Sequence, residues 1–383
     1  MTDSTSLRIK RIEVEGLFGL YHHVIDLNLE DRVTILHGPN GVGKTNIFKI
    51  IEMAFSDKTA NEKKKSLLTI PFDKFSMKFT NESLALIEQN ESRTVPKLQK
   101  GEVTEVIHSP REVCIDETSM DWLTRKRIDT RFISEQRTFR CDKKAQILPI
   151  MDEYARDLQL KIQNAMADYG KKAQDLDATL PQRLLDKTSL QILSSEQLKV
   201  QLVELKSEIE KFQTIGLLPE ASIPSIDSTR LDNLDEAKRS MMTLYIDDNK
   251  EKLIVVKPLG ERIKLFSSML NSKLRNKEII IDHEDGFRIR DRNHDPIPLT
   301  ALSSGEQHEI VLAYDLLFKT VPNSLVLIDE PELSLHLTWQ GHFLPDLLKI
   351  VKVANFDVII ATHSPFIIGN RRDLMVALED KVQ

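Results

Sequence analysis

Eight residues near the N-terminus, Gly38-Pro39-Asn40-Gly41-Val42-Gly43-Lys44-Thr45, restrict the fold more than any other stretch of this chain. The apolar run Arg32–Leu36 leads into them and ends at His37. Thr45–Phe55 follows, with Ile47, Ile50, Ile51 and Phe55 at helical spacing. A buried strand that turns through three glycines into a helix belongs to an α/β sheet domain. The glycines let backbone N–H groups close around phosphate oxygens, and the helix N-terminus adds partial positive charge. In such a loop Lys44 supplies a point charge to phosphates and Thr45 a hydroxyl to magnesium. The candidate contacts run from Gly38 through Pro39, Asn40, Gly41, Val42, Gly43, Lys44 and Thr45 to Asn46.

Three further segments near the other end of the chain share this chemistry. Ser324–Ile328 is an apolar strand that delivers Asp329 and Glu330 at its C-terminal end, where α/β sheets bind ligands. Leu302-Ser303-Ser304-Gly305-Glu306-Gln307 stands directly before a helix, and serine with glycine at a helix start makes an anion site. Ala361-Thr362-His363-Ser364-Pro365 closes the next buried strand, Asp357–Ala361. Each has an ordinary reading by itself: a strand with terminal acids, a helix cap, a structural histidine. Their order after the glycine loop argues against that reading for all three.

Taken together, the loop, the LSSGEQ segment, IDEPE and THSP resemble the ABC-type ATPases of the RecF, SMC and OLD-nuclease group. The resemblance covers about residues 1–60 and 295–370. It implies ATP and Mg2+ as ligands, with Lys44 and Thr45 on the phosphates and metal and Asp329 coordinating the metal. Glu330 is then the general base and His363 the γ-phosphate switch. Ser303 and Gly305, with Gln307 beside them, contact the γ-phosphate held by an opposite subunit. Phe132-Ile133-Ser134-Glu135-Gln136-Arg137 is similar to the strand-plus-Arg element of the group, which makes Gln136 a candidate metal-water ligand, with Gln89 and Gln99 as rivals. Glu332-Leu333-Ser334-Leu335-His336 matches the OLD-like form, with His336 where transporter-type members carry Asp.

Between the two ends, residues 148–176 carry Leu158, Ile162, Ala165, Tyr169, Ala173 and Leu176 at helical steps. A second helix opens with a capping box, Ser194 to Gln197, and repeats Leu198, Leu202, Leu205, Ile209 and Phe212 at steps of a short coiled coil. Pro181 and the turn near Asp186–Ser189 separate them, so the spacing predicts an antiparallel helical hairpin. The expected fold is an α/β ABC-type head, a mixed sheet with flanking helices, carrying that hairpin as an insertion. The expected domains are 1–140 (phosphate-loop lobe), 141–230 (hairpin and linker) and 231–383 (signature, acidic strand and His switch).

Net charge is −6, so the whole molecule does not read as a nucleic-acid coat, although Lys63–Lys65 and Arg125–Arg127 are short basic runs. Cys114 and Cys141 are too few for a Cys-rich zinc site and fit a reducing compartment. No signal core or membrane-length apolar run is visible, which predicts a cytoplasmic protein without a membrane partner.

The resemblance further implies a homodimer or higher homo-oligomer with composite ATP sites. The short stretch after His363 leaves no room for an OLD-type nuclease domain, so an effector is expected to be a separate chain, a nuclease or TOPRIM-type protein. Stand-alone ATPases of this kind resemble those of anti-phage systems (PARIS, Septu-like and retron-associated). The alternative is a RecF-like DNA-binding ATPase of DNA repair, with duplex DNA as partner.

Overall fold

The computed structural model describes residues 7–56, 59–90, 94–99, 102–108, 112–115, 128–133, 139–141, 147–185, 192–219, 231, 234–333, 335 and 337–378. The chain divides into two compact units, Met1–Gln136 with Lys319–Gln383, and Arg137–Phe318.

The first unit opens with β1 (Ile9–Leu17), β2 (Tyr21–Asp26) and β3 (Val33–His37), the last matching the apolar run expected before the glycine loop. β1 and β2 pair antiparallel with Ile12 opposite Ile25, both fully buried, so register is set by which face meets the core. Then come α1 (Lys44–Phe55), α2 (Ala60–Leu67), β4 (Lys74–Phe79), β5 (Leu84–Asn90), the hairpin β6 (Thr94–Gln99) and β7 (Glu102–His108), β8 (Glu112–Ile115) and β9 (Thr130–Ile133). An antiparallel sheet runs in the order β2-β1-β4-β5-β8.

The second unit holds a short antiparallel pair, β10 (Phe139–Cys141) and β11 (Ile147–Pro149), and then three long helices: α3 (Ile150–Leu185), α4 (Ser195–Thr214) and α5 (Glu236–Lys273). The capping box at Ser194 and Gln197 is present. The expected helical insertion is present, and within it α3 and α4 each pack chiefly on α5. Lys172 pairs with Glu251 at 3.1 Å and Arg183 Nη2 donates to Asp248 Oδ2 at 2.9 Å, joining α3 to α5. Lys250 donates to Gln201 at 3.0 Å and Lys257 pairs with Glu208 at 2.9 Å, joining α4 to α5.

Pro181 does not end α3. A proline withholds one backbone N–H and crowds the carbonyl of the preceding turn. Here the helix continues through it to Leu185, and Arg183 Nη2 donates to Leu176 O at 2.7 Å within the same stretch.

Gly260 of α5 marks a close crossing. A Cβ there would stand 2.4 Å from Phe212 Cε1 on α4, and Phe212 is buried. Gly260→Val is expected to destabilise the protein by about 2 kcal/mol through overpacking, read as a lower urea midpoint with the slope unchanged.

The unit continues with the antiparallel strands β12 (Lys277–Asp282), β13 (Gly286–Asp291) and β14 (Pro296–Ile297), then α6 (Ser304–Tyr314) and a π-helical stretch, Asp315–Lys319. Its core is aromatic: Tyr154 stacks on Tyr314 with centroids 4.4 Å apart, and Phe266 meets Phe287, Tyr314 and Phe318 edge-on. The two tyrosine hydroxyls donate to carboxylates, Tyr154 to Asp315 and Tyr314 to Asp157, so their polar ends are satisfied inside the core.

Back in the first unit, β15 (Leu325–Asp329), α7 (Leu337–Ala354), β16 (Asp357–Ala361), α8 (Pro365–Ile368) and β17 (Met375–Ala377) complete the described chain. A wholly parallel sheet runs β17-β3-β16-β15-β9. Its three central strands, β3, β16 and β15, are buried on both faces, which explains their unbroken β-branched and leucine content. α1 lies in one apolar cluster that contains residues of both sheets, among them Ile12, Ile25, Ile47, Ile51, Leu327 and Ile359. Arg8 fastens β1's approach to β16 through a forked pair with Asp357, 2.5 and 2.8 Å. Among the described residues no helix is long and apolar enough to cross a membrane.

Candidate functional site

Register aligns the C-terminal ends of the central strands. Leu36 of β3 stands beside Ala361 of β16, and Ala361 beside Asp329 of β15. At that edge the glycine loop leaves β3 and enters α1. Gly43 has φ 95° and caps α1 without a side-chain bond, so the first-turn N–H groups face whatever binds there. A Cβ at Gly43 would lie 2.3 Å from Leu17 Cδ2, so both space and backbone demand glycine. Beneath the loop, His23 Nε2 lies 2.8 Å from Val42 O.

Lys44 is buried and folds back across the loop, donating from Nζ to the carbonyls of Gly38 and Pro39, each at 2.9 Å. Burial lowers its ammonium pKa, while Glu330, Asp329 and Glu332 act against that shift. These three acids and Lys44 therefore share one site. Burial pushes the Asp329 carboxyl above its ordinary value, opposed by a hydrogen bond from Thr45 and by the charges of Lys44 and Lys49. Asp329 Oδ1 is buried without a protein partner. A hydroxyl and a carboxylate with a spare oxygen suit a hard divalent cation such as Mg2+, so the donor set fits that ion.

Glu330 sits at the strand end with φ 45°, a left-handed backbone for a residue with a side chain, held by its N–H donating to Ala361 O at 2.8 Å. Such strain is characteristic of functional positions. His363 follows β16 and is half-buried; its backbone N donates to Glu332 Oε1 at 2.8 Å. Glu332 is the residue that sequence reasoning named only within a motif and gave no part. Its signal was a third acid just past the strand end, but its contacts depend on β15 and β16 lying side by side.

Pro39, Asn40 and Gly41 are exposed at the loop's crown, Gly38 and Val42 are buried, and Thr45 and Asn46 are half-buried on α1. Ser303, Gly305 and Gln307 belong to the second unit, at the start of α6. Ser303 is exposed and forms a capping box: its Oγ donates to Glu306 Oε2 at 2.9 Å and accepts from Glu306 N at 3.4 Å. Burial alone would raise the Glu306 carboxyl, yet Lys277, 2.8 Å away, and the Ser303 bonds bring it below its ordinary value. Gln307 Nε2 donates to Leu299 O at 3.2 Å. Gln136 and His336 lie outside the described residues. The rival Gln89 is buried and donates to Leu67 O and Ile70 O at 2.9 and 3.0 Å, tying β5 to the end of α2, and Gln99 lies in β6.

The model of the AAA ATPase domain family matches residues 8–368. The retron Ec83 probable ATPase of Escherichia coli is 36% identical over 88 residues, covering 20% of this chain; the chain spans 16% of the length of that relative. Among solved structures, the Smc head domain of Pyrococcus furiosus, with an extended coiled coil and bound to the C-terminal domain of ScpA, has a TM-score of 0.43 at 15% identity, covering 98% of this chain and 95% of that one. The SMC head domain from Thermotoga maritima has a TM-score of 0.37 at 14% identity, covering 97% and 94%.

Proposed function

The chain belongs to the AAA ATPase domain family and hydrolyses ATP, and from that premise we propose that it does so at sites shared between copies, in an oligomer that senses infection and governs a separate nuclease effector in anti-phage defence. In this reading Lys44 and the loop N–H groups of one copy hold the β- and γ-phosphates. Thr45 and Asp329 would hold the metal, which would supply positive charge to the phosphates. Glu330 takes a proton from water as its oxygen attacks the γ-phosphorus and the bond to the β-phosphate oxygen breaks. His363 senses the γ-phosphate, and Ser303 with the first N–H groups of α6 approaches that phosphate from a neighbouring copy.

The observation that carries the shared-site reading is the exposure of Ser303 and Ser304 at the start of a well-capped helix. An anion-binding cap that faces solvent is accessible to a ligand held elsewhere. The defence assignment is supported by the similarity to a retron ATPase.

Complementation tests the shared site. Lys44→Ala and Ser303→Arg proteins are expected to be inactive alone, and an equal mixture to recover about a quarter of wild-type turnover, since half the random dimers carry one intact site. A mixture that stays inactive while wild type works as a lone subunit would sink the reading. Affinity capture from the native host tests the role: a co-purifying nuclease supports defence. Tight, salt-sensitive duplex binding with no protein partner would favour the DNA-repair alternative.

A further inference from the structure

Glu332 closes a ring of hydrogen bonds between the segments that follow β15 and β16. Its Oε1 accepts from Thr362 Oγ1 and from His363 N, each at 2.8 Å. Thr362 Oγ1 accepts from Ser364 N at 3.0 Å, and Ser364 Oγ donates to Gln340 Oε1 at 3.0 Å. Gln340 Nε2 returns to Glu332 O at 3.1 Å and also reaches Leu335 O at 3.3 Å. Thr362 is fully buried, and Ser364 and Gln340 are each 9% exposed, so the ring lies in a low-dielectric setting where such bonds are strong and costly to break.

One oxygen is left over. Glu332 Oε2 is buried without a protein partner, as is Asp329 Oδ1, and the Glu332 charge acts on both Lys44 and Asp329. A buried anionic oxygen is expensive unless a cation or donor meets it. The charges it acts on are those of Lys44 and Asp329, the lysine and carboxylate of the ATP site proposed above.

We propose that Glu332 is a positioning residue with two tasks: Oε1 fixes the backbone that carries His363, and Oε2 adds negative charge to the Mg2+–Lys44 pocket. This rests on the ATP site proposed above. The position is otherwise unconstrained by strand geometry, since Glu332 lies in the one-turn 3-10 helix Pro331–Leu333 rather than in β15 itself.

Two substitutions separate the tasks. Glu332→Gln keeps an acceptor oxygen for Thr362 and His363 but loses the charge. It should raise the Mg2+ concentration needed for half of the ATP-dependent rise in Tm by about 3- to 10-fold, with turnover falling less than about tenfold. Glu332→Ala loses both and should lower kcat by about 30-fold or more with the KM for ATP changed less than about threefold. The Tm shift, measured with Mg2+ and ATP in a Glu330→Gln background, does not depend on turnover.

Wild-type Mg2+ dependence in Glu332→Gln overturns the charge task, and this arm remains decisive if Glu332→Ala fails to fold. Equal kcat for Gln and Ala variants overturns the clamping task. If Lys44→Ala instead hydrolyses ATP like wild type, the ATP site itself is wrong, an outcome distinct from either failure.

Discussion

Glu330→Gln protein is expected to bind ATP with near wild-type affinity yet hydrolyse it about a thousandfold more slowly, the loss typical of a removed general base. Gln matches Glu in size, and the groups that hold Glu330 in place belong to the backbone: φ 45° and the N–H bond to Ala361 O. The substitution therefore removes proton acceptance and leaves the strand end as it is. Phosphate release measured beside fluorescent-nucleotide binding reads the split. Light scattering with ATP adds the assembly state: a trapped ATP form should persist as dimers or larger. Unchanged turnover would remove Glu330 from the chemistry, and a strictly monomeric ATP form would remove the shared site.

Lys44→Ala should weaken ATP binding by two to three orders of magnitude, roughly 3–4 kcal/mol, with turnover lost in step. The reason lies on both sides of the ammonium. It donates to the carbonyls of Gly38 and Pro39 and so shapes the loop, and it is a nearby positive charge for Asp329, Glu330 and Glu332. Without it, the Asp329 carboxyl, already raised by burial, is raised further. A carboxyl whose folded pKa lies above its unfolded value adds stability at low pH and loses it as pH rises through the folded pKa. The nucleotide-free variant should accordingly lose more Tm than wild type as pH rises above the ordinary carboxylate range. Equal pH profiles and intact ATP binding would show that Lys44 does not serve this site.

What the sequence discloses here follows from which interactions are local. The strand–loop–helix unit around Lys44 is local, and its predicted helix start at Thr45 differs from the observed Lys44 by one position. The strand Asp357–Ala361 is read without error because a buried parallel strand is a short unbroken apolar run. The capping box at Ser194 is equally local. Helix length and partner choice were not legible. Pro181 and Pro258 stand inside α3 and α5, where a proline normally signals an end, and periodicity tells which face is apolar but not which helix will cover it. The Glu332 ring was hidden for the same reason, since it joins residues that become neighbours only when β15 and β16 lie side by side in register.

One short strand has a consequence for anyone trimming this chain. β17 borders β3, pairing Met375 with Ile35 and Val376 with Leu36, and Leu378 N donates to His37 O at 2.8 Å. The carbonyl of Leu378 lies 2.7 Å from where a Cβ on Gly38 would be. A C-terminal deletion that reached Met375 would strip one flank from β3 and leave an apolar row of unpaired amides and carbonyls open to recruitment by other chains. Such a truncation should be soluble only at low concentration, and its aggregation would begin beside the nucleotide loop.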